Sequence, residues 1–370
     1  MKRVLFISNT ANFSKFNRPF MKWFKEQGWQ VDYCSSGEET VFDCDNQYTV
    51  NIQRSPFSLK NIKGYFEVKK ILSENKYDII HCHTPMGGVI GRLASRKLRK
   101  QKKIKVIYTA HGFHFYKGAP VKNWLLYYTM EKQLAHYTDV IVTINNEDFQ
   151  NAKKMNKKWI VYKIDGVGVD LTKFYSNKTL TDRLHLRKEK GYRNEDFIIL
   201  YTAEFIPRKN HKLLFSILPS LKKQIPELKI ILCGKGELLE EFKMLALQNK
   251  MDYIDFTGYT KDVANYCRIS DILVMPSLQE GLPIAMIEGI STGLPVVASN
   301  IRGHCDVIED GINGFLFSLK SPRDFEEKIN ILYRDKELLQ TMGKRNIEIS
   351  EKYSVNIIIS KMADIYKSLF

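Results

Sequence analysis

Residues able to do chemistry concentrate in one stretch, Pro276-Ser277-Leu278-Gln279-Glu280-Gly281-Leu282-Pro283-Ile284-Ala285-Met286-Ile287-Glu288-Gly289. It follows an apolar run that reads as a strand, turns at Gly281 and opens a helix at Pro283, since proline suits the first helical position. A strand-glycine-helix junction offers backbone N–H groups at the positive end of a helix dipole, an arrangement that receives a diphosphate. Glu280 stands before the turn, where its carboxylate reaches a sugar attached to that phosphate. Glu288 falls about two turns into the helix at 3.6 residues per turn, placed to accept hydrogen bonds from ribose hydroxyls. The plainer reading is a helix with one capping and one solvated glutamate.

Further candidates are dispersed. Arg208-Lys209 follow the apolar run Ile198–Thr202, and cations there neutralise the charge growing on a departing nucleotide diphosphate. That replaces a metal, so no metal and no cofactor are expected; the plain alternative is surface cations before a helix. His111 closes the run Val106–His111. His81 and His83 alternate onto one strand face with Cys82 between them, but no third metal ligand accompanies them. Both, with His114, read as structural. The first loop, Ser8-Asn9-Thr10-Ala11-Asn12-Phe13-Ser14, lacks G-x-G-x-x-G, which argues against a dinucleotide. Its small polar residues Asn9, Thr10 and Asn12 suit the approach of donor or acceptor. Gly234-Lys235-Gly236-Glu237 and Phe256-Thr257-Gly258-Tyr259 follow or close apolar runs and read as ligand loops or as plain turns.

These groups must be held by strands and helices in alternation. Short runs rich in Val and Ile, the mark of buried parallel strands, occur at Val4–Ser8, Val31–Cys34, Tyr48–Ile52, Asp78–His83, Val106–His111, Val140–Ile144 and Ile160–Ile164. They resume at Phe197–Thr202, Lys229–Cys233, Asp271–Met275 and Pro295–Ser299. Amphipathic stretches lie between them, such as Phe16–Gln27, which stops at Gly28. Final helices span roughly Arg323–Lys352 and Val355–Leu369. The chain of 370 residues exceeds one core. Asp165-Gly166-Val167-Gly168-Val169-Asp170 and the polar Tyr175–Lys190 read as a linker. The expected class is α/β, with two doubly wound, Rossmann-like domains, 1–168 and 169–353, facing a central cleft, and ligands at strand carboxyl ends.

Composition narrows the partners. Six scattered cysteines show no C-x-x-C, so a reduced cytoplasmic protein without zinc or disulfides is expected. No apolar run is long enough for a membrane span. The net charge is +16 and uneven: residues 1–170 hold 28 Lys and Arg against 15 Asp and Glu, an excess of 13, and the remainder an excess of 3. The densest cluster holds Arg96, Lys97, Arg99, Lys100, Lys102, Lys103 and Lys105. No nucleic-acid motif accompanies it. An anionic lipid surface fits better, which predicts peripheral docking on the inner face of the plasma membrane; a solvated helix end is the bland alternative.

Glu280-x7-Glu288, the turn Glu280-Gly281-Leu282-Pro283 and Gly293-Leu294-Pro295-Val296-Val297-Ala298-Ser299 together resemble the signature of glycosyltransferase family 4. Tyr108-Thr109-Ala110-His111-Gly112-Phe113-His114-Phe115-Tyr116-Lys117-Gly118, His81-Cys82-His83-Thr84-Pro85-Met86-Gly87-Gly88 and Gly168-Val169-Asp170 with Phe174 resemble its bacterial capsular and exopolysaccharide members. The resemblance implies the two-Rossmann fold called GT-B, with a terminal helix, here 354–370, returning to the first domain. It implies a retaining, metal-independent transfer of a hexose or N-acetylhexosamine from a UDP-sugar to a polyprenyl-diphosphate-linked or saccharide acceptor. It assigns His111 and Glu280 to the donor sugar, Lys209 to the leaving diphosphate and Glu288 to the ribose. It draws Arg208, Gly234, Tyr259, Gly281, Leu282 and Pro283 into the donor site. One departure stands out: the family's usual Gly-Arg is Ala203-Glu204 here, and Arg208 either serves in its place or does not. A sugar-nucleotide epimerase and a non-catalytic nucleotide-sugar-binding partner share the architecture.

Overall fold

A computed structural model describes residues 1–174 and 180–370. Of the expected linker, Tyr175–Thr179 lie outside the described residues, whereas Leu180–Glu189 are helical. The chain divides into two units, residues 1–168 with 355–370 and residues 169–354.

The first unit contains strands β1 (Arg3–Ile7), β2 (Gln30–Ser35), β3 (Asn46–Thr49), β4 (Ile79–His83), β5 (Lys105–Ala110), β6 (Val140–Thr143) and β7 (Ile160–Lys163). Its helices are α1 (Ser14–Glu26), α2 (Lys60–Glu74), α3 (Pro85–Lys100), α4 (Val121–Asn123), α5 (Thr129–Leu134) and α6 (Asn146–Met155). The sheet order is β3-β2-β1-β4-β5-β6-β7, parallel throughout. The second unit contains β8 (Phe197–Thr202), β9 (Leu228–Cys233), β10 (Ile254–Gly258), β11 (Ile272–Met275), β12 (Val296–Ser299) and β13 (Gly314–Phe317), ordered β10-β9-β8-β11-β12-β13 and again parallel. Its helices are α7 (Leu180–Glu189), α8 (His211–Gln224), α9 (Leu239–Gln248), α10 (Val263–Ile269), α11 (Ile284–Ser291), α12 (Pro322–Arg334) and α13 (Lys336–Ser350); α14 (Val355–Lys367) belongs to the first unit. Each sheet reverses its winding at one point, between β1 and β4 and between β8 and β11, where such folds bind ligands.

Several bounds depart from the expected ones. β3 begins at Asn46 rather than Tyr48, because the buried Val50 and Ile52 that drew the apolar signal lie in the following loop. The run expected as one helix over Arg323–Lys352 breaks at Asp335, whose carboxylate accepts from Leu338 N and caps α13. β10 and β13 were not expected as strands; each is an edge strand of four or five residues.

Two devices fix the first unit. Tyr366 of α14 packs on Trp23 and Phe24 of α1 with ring centroids 5.5 and 4.5 Å apart. The Arg92 guanidinium is fully buried, paired with Glu131 at 2.7 and 3.1 Å, bonded to Gly88 O and laid 3.9 Å over the Tyr108 ring. This ties α3 to α5 and β5. Removing the carboxylate strands a buried charge, so Glu131→Ala is expected to cost about 3–5 kcal/mol. Chemical denaturation measures it, and a loss below about 1 kcal/mol would mean the pair is structurally idle.

Candidate functional site

In the second unit the candidate residues converge at the carboxyl edge of the sheet. After β8 the chain makes a tight turn, Pro207–Lys209, and Asn210 takes a left-handed conformation with φ 56°. That turn is stitched to the loop after β11 by Leu278 N donating to Arg208 O at 2.8 Å and by Asn210 Nδ2 donating to Pro276 O at 3.1 Å. Tyr201, buried in β8, donates its hydroxyl to Lys209 O at 2.5 Å. Lys209 and Arg208 thereby grip one carboxylate. Lys209 Nζ lies 2.5 Å from Glu280 Oε1, and Arg208 Nη1 lies 3.1 Å from Oε2 and 2.9 Å from Gln279 O. Burial alone would push the Glu280 carboxyl up, but Lys209 and Arg208 outweigh it and hold it below the usual range. Two cations face one anion, so the locus is net positive.

The surrounding glycines permit the close approach. A Cβ on Gly234 would fall 1.8 Å from Ala203 O, so the loop after β9 lies directly on the loop after β8. Gly303, at φ +84°, passes where a Cβ would sit 2.5 Å from Gly281 O, and Arg302 Nε donates to Glu280 O at 3.2 Å. The loop after β12 thus braces the Glu280-Gly281 turn. His304 is wholly buried; its Nδ1 faces Ser299 O at 2.9 Å, and burial lowers it to about 4 despite the pull of Glu280.

Pro283 caps α11 rather than opening it. Its φ and ψ are −79° and 114°, its carbonyl accepts from Met286 N, and the helix starts at Ile284. Glu288 is therefore the fifth helical residue, about one turn in rather than two, and half-buried. Gly281 and Leu282 are half-buried in the turn before it. Tyr259, 69% exposed, follows β10; Lys235 lies 5.4 Å over its ring, and Gly234 N donates to Gly258 O at 2.9 Å. An exposed ring beside a glycine loop can stack on a flat ligand.

The first unit gathers a different set at its own carboxyl edge. His83 ends β4, and His111 follows β5. His83 Nδ1 and His111 Nε2 are 3.0 Å apart, a partnership the sequence reading missed by setting His83 aside as structural. Each histidine closes an apolar run in the sequence, but only the pairing of β4 with β5 brings the two together. His81 packs 4.0 Å from His83. Both of its nitrogens are engaged, Nε2 with Thr109 Oγ1 and Nδ1 with the Tyr366 hydroxyl, each at 2.8 Å, so it is no metal ligand. Burial lowers His81 to about 3 and His111 to about 4, and His83 well below its usual value. All three are neutral near pH 7. The buried Nε2 of His83 has no partner. An unpaired N–H costs more than an unpaired lone pair, so the proton belongs on His83 Nδ1, which donates to His111 Nε2 and leaves the His111 proton on Nδ1.

The neighbouring loop is anchored through the backbone of Asn9 and Thr10 and the side chain of Asn12. Asn9 N donates to Thr84 Oγ1 at 2.9 Å, Ser8 Oγ to Thr10 O and Asn12 Nδ2 to Glu39 Oε1, each at 2.8 Å. Exposed His114 lies beside Tyr127 rather than in the array. The basic cluster sits elsewhere again. Arg96, Lys97, Lys100, Lys102 and Lys103 are exposed, but Arg99 is half-buried, pairs with Asp139 at 3.1 Å and donates to His136 O and Thr138 O. The cluster closes α3, about 24 Å of helix away from the edge that holds His83. The chain also holds an Asp-x-Asp triplet, Asp43-Cys44-Asp45. It is spent on structure: Asp43 pairs with Arg18, and Asp45 pairs with Lys25 and accepts from Val31 N.

Comparisons with known proteins give the family and the fold. Residues 182–349 match the model described as glycosyl transferases group 1, and residues 3–145 the one described as glycosyl transferase 4-like. EpsD of Bacillus subtilis (strain 168), named a glycosyltransferase, is 38% identical over 370 residues, 99% of this chain and 97% of that relative. The chain belongs to the group 1 glycosyltransferases. An Escherichia coli relative named UDP-Gal:alpha-D-GlcNAc-diphosphoundecaprenol alpha-1,3-galactosyltransferase is 29% identical, covering 92% of this chain and 87% of its own. Anabaena HepE, solved with UDP and glucose, shares the fold at 17% identity with a TM-score of 0.80 over both whole chains. The architecture is the GT-B kind. No helix among the described residues is long and apolar enough to cross a membrane.

The neutral histidines make the glycosyltransferase acid-sensitive. A histidine held neutral in the fold binds a proton more readily when unfolded, so stability falls once pH drops below about 6.5 and goes on falling towards the folded value near 4. Wholly buried His304 should lose up to about 1.4 kcal/mol per pH unit in that window. Denaturation midpoints at pH 7, 6 and 5 test this, and an unchanged pH slope in His304→Gln would rule that histidine out as a source.

Proposed function

We propose that this glycosyltransferase moves a hexose or N-acetylhexosamine from a UDP-sugar to a polyprenyl-diphosphate-linked glycan, with retention and without a metal, in cell-surface polysaccharide synthesis. The observation that carries the reading is the grip of Lys209 and Arg208 on Glu280 at the carboxyl edge of β8 and β11. An arriving diphosphate competes for both cations, and the N-terminus of α11 adds its dipole. Arg208 then supplies the charge missing at Ala203-Glu204. Glu280, released towards the sugar, accepts hydrogen bonds from its hydroxyls. Glu288 on α11 takes the ribose, Gly234 lets backbone approach the phosphates, and Tyr259 flanks the base.

The chemistry follows from those charges. The bond from the anomeric carbon to the β-phosphate oxygen breaks, and a bond to the acceptor oxygen forms on the same face. The departing phosphate takes the acceptor's proton. Lys209 and Arg208 stabilise the charge on the leaving group, the term that dominates when no metal does so. The family assigns His111 to the donor sugar, and its neutral state suits hydrogen bonding to a hydroxyl. The acceptor class is supported by the names of relatives, among them an undecaprenol-diphosphate galactosyltransferase and a Campylobacter jejuni N-acetylgalactosaminyltransferase acting on a diphospho-undecaprenol sugar. A Staphylococcus aureus relative is named for capsular polysaccharide biosynthesis. The excess of cations in residues 1–170 draws the enzyme to an anionic inner leaflet.

Glu280→Ala should lower kcat by about 10²–10³-fold with little change in UDP affinity. Glu288→Ala should weaken UDP binding, read by calorimetry, with the fold intact. Wild-type turnover in the first and wild-type affinity in the second would remove both assignments. Release of an altered UDP-sugar with no acceptor present would instead make the protein an epimerase.

Transfer should survive EDTA at full rate, because Lys209 and Arg208 carry the charge that a metal would. Loss of activity in EDTA, restored by manganese or magnesium, would overturn this mechanism.

A further inference from the structure

Helix α2 carries two apolar stripes where a surface helix needs one. Val68, Ile71 and Leu72 are buried with Asn61 and Gly64. On the opposite side Leu59, Ile62 and Phe66 are 81%, 58% and 59% exposed, and Phe57 in the preceding loop is 81% exposed. At 100° per residue, Leu59, Ile62 and Phe66 fall within an arc of about 60°. Lys63 and Lys70 flank that arc on one side and Lys69 on the other, all exposed. From Arg54 to Lys70 there are five cations and one carboxylate. The nearby acids Glu67 and Glu74 pair only loosely with Lys63 and Lys70, at 3.8 and 3.7 Å.

The placement of this face is set by topology. α2 follows β3 and runs back to the start of β4, so its first turn lies at the carboxyl edge of the first sheet, the edge that holds His83 and His111. The helical stretch after β5 opens from the same edge and exposes Val121 and Leu125 by 74% and 72%. The Arg96–Lys103 cluster lies at the other end of α3.

We propose that Phe57, Leu59, Ile62 and Phe66, bordered by Lys60, Lys63, Lys69 and Lys70, form a docking surface for an anionic lipid bilayer. Apolar side chains framed by lysines suit the boundary between headgroups and acyl chains, where the rings and branches enter and the ammonium groups meet lipid phosphates. A second copy of the chain is disfavoured, since a two-fold contact would set lysines against lysines. The surface brings the edge bearing His83 and His111 to the membrane, and rests on the proposed function only in giving that edge a lipid-linked acceptor to meet. The Arg96–Lys103 cluster contributes attraction at a distance but no insertion.

Flotation with vesicles of equal parts phosphatidylglycerol and phosphatidylcholine tests this, with pure phosphatidylcholine as control. The wild type should float with the anionic vesicles and far less with the control. Combined Phe57→Ser, Ile62→Ser and Phe66→Ser should weaken partition on the order of a hundredfold, with the thermal midpoint and UDP binding unchanged. Combined Lys100→Glu, Lys102→Glu and Lys103→Glu should weaken it by less than about tenfold. Placed at position 57, tryptophan (Phe57→Trp) should shift its fluorescence to the blue on binding. Wild-type flotation of the serine variant, loss confined to the glutamate variant, or a dimer that the serine variant makes monomeric would each overturn the proposal. Failure to float with sugar transfer intact would sink the lipid surface alone; flotation without transfer would sink the enzymatic reading alone.

Discussion

A carboxylate that is almost fully buried yet charged is the constraint on which the second unit turns. Glu280 is 6% exposed, and ionisation there is affordable only with partners on every side. Lys209 and Arg208 supply the charge, and the backbone around them supplies the rigidity. Leu278 N, Asn210 Nδ2 and the Tyr201 hydroxyl fix the two loops that present these groups. The glycines at 234 and 303 matter for the same reason, since any side chain would push the loops after β9 and β12 off the two loops they brace.

Much of this was legible in sequence. Parallel strands buried on both faces give plain Val/Ile runs, and β1, β4, β5, β8 and β11 announce themselves that way. The two-unit α/β architecture and the family followed from those runs and from the Glu280–Glu288 segment. At the sheet edges β10 and β13 were lost, β13 being only four residues long, and the half-polar β3 was placed two residues late. The helix start at Pro283 was misjudged by one position, which leaves Glu288 about one turn into α11. Composition does not reveal that Asp335 will cap a new helix rather than continue an old one.

Partnerships across the fold were illegible for a deeper reason. His83 and His111 are 28 residues apart and meet only because β4 and β5 are neighbours in the sheet. Tyr366 is 285 residues from His81 and reaches it only because α14 returns to the first unit. The Lys209–Glu280 contact spans 71 residues, and the pairing of β8 with β11 accounts for it. The exposed stripe of α2 was hidden likewise, since apolar residues at helical spacing look the same whichever side they face.

The two carboxyl edges have the same topology and opposite electrostatics, and that contrast bounds what each can receive. The edge of the second sheet concentrates full charges with a positive remainder, so it suits a polyanion such as a diphosphate. The edge of the first sheet is lined by imidazoles that burial keeps neutral, packed among Phe6 and Phe13. Neutral donors and acceptors there match hydroxyl groups, which would bind weakly against the competing pull of formal charges. Burial thus does different work in two copies of one architecture. In one it is opposed by paired ions and leaves a charge in place; in the other it is unopposed and removes the charge, leaving hydrogen bonding as the means of recognition.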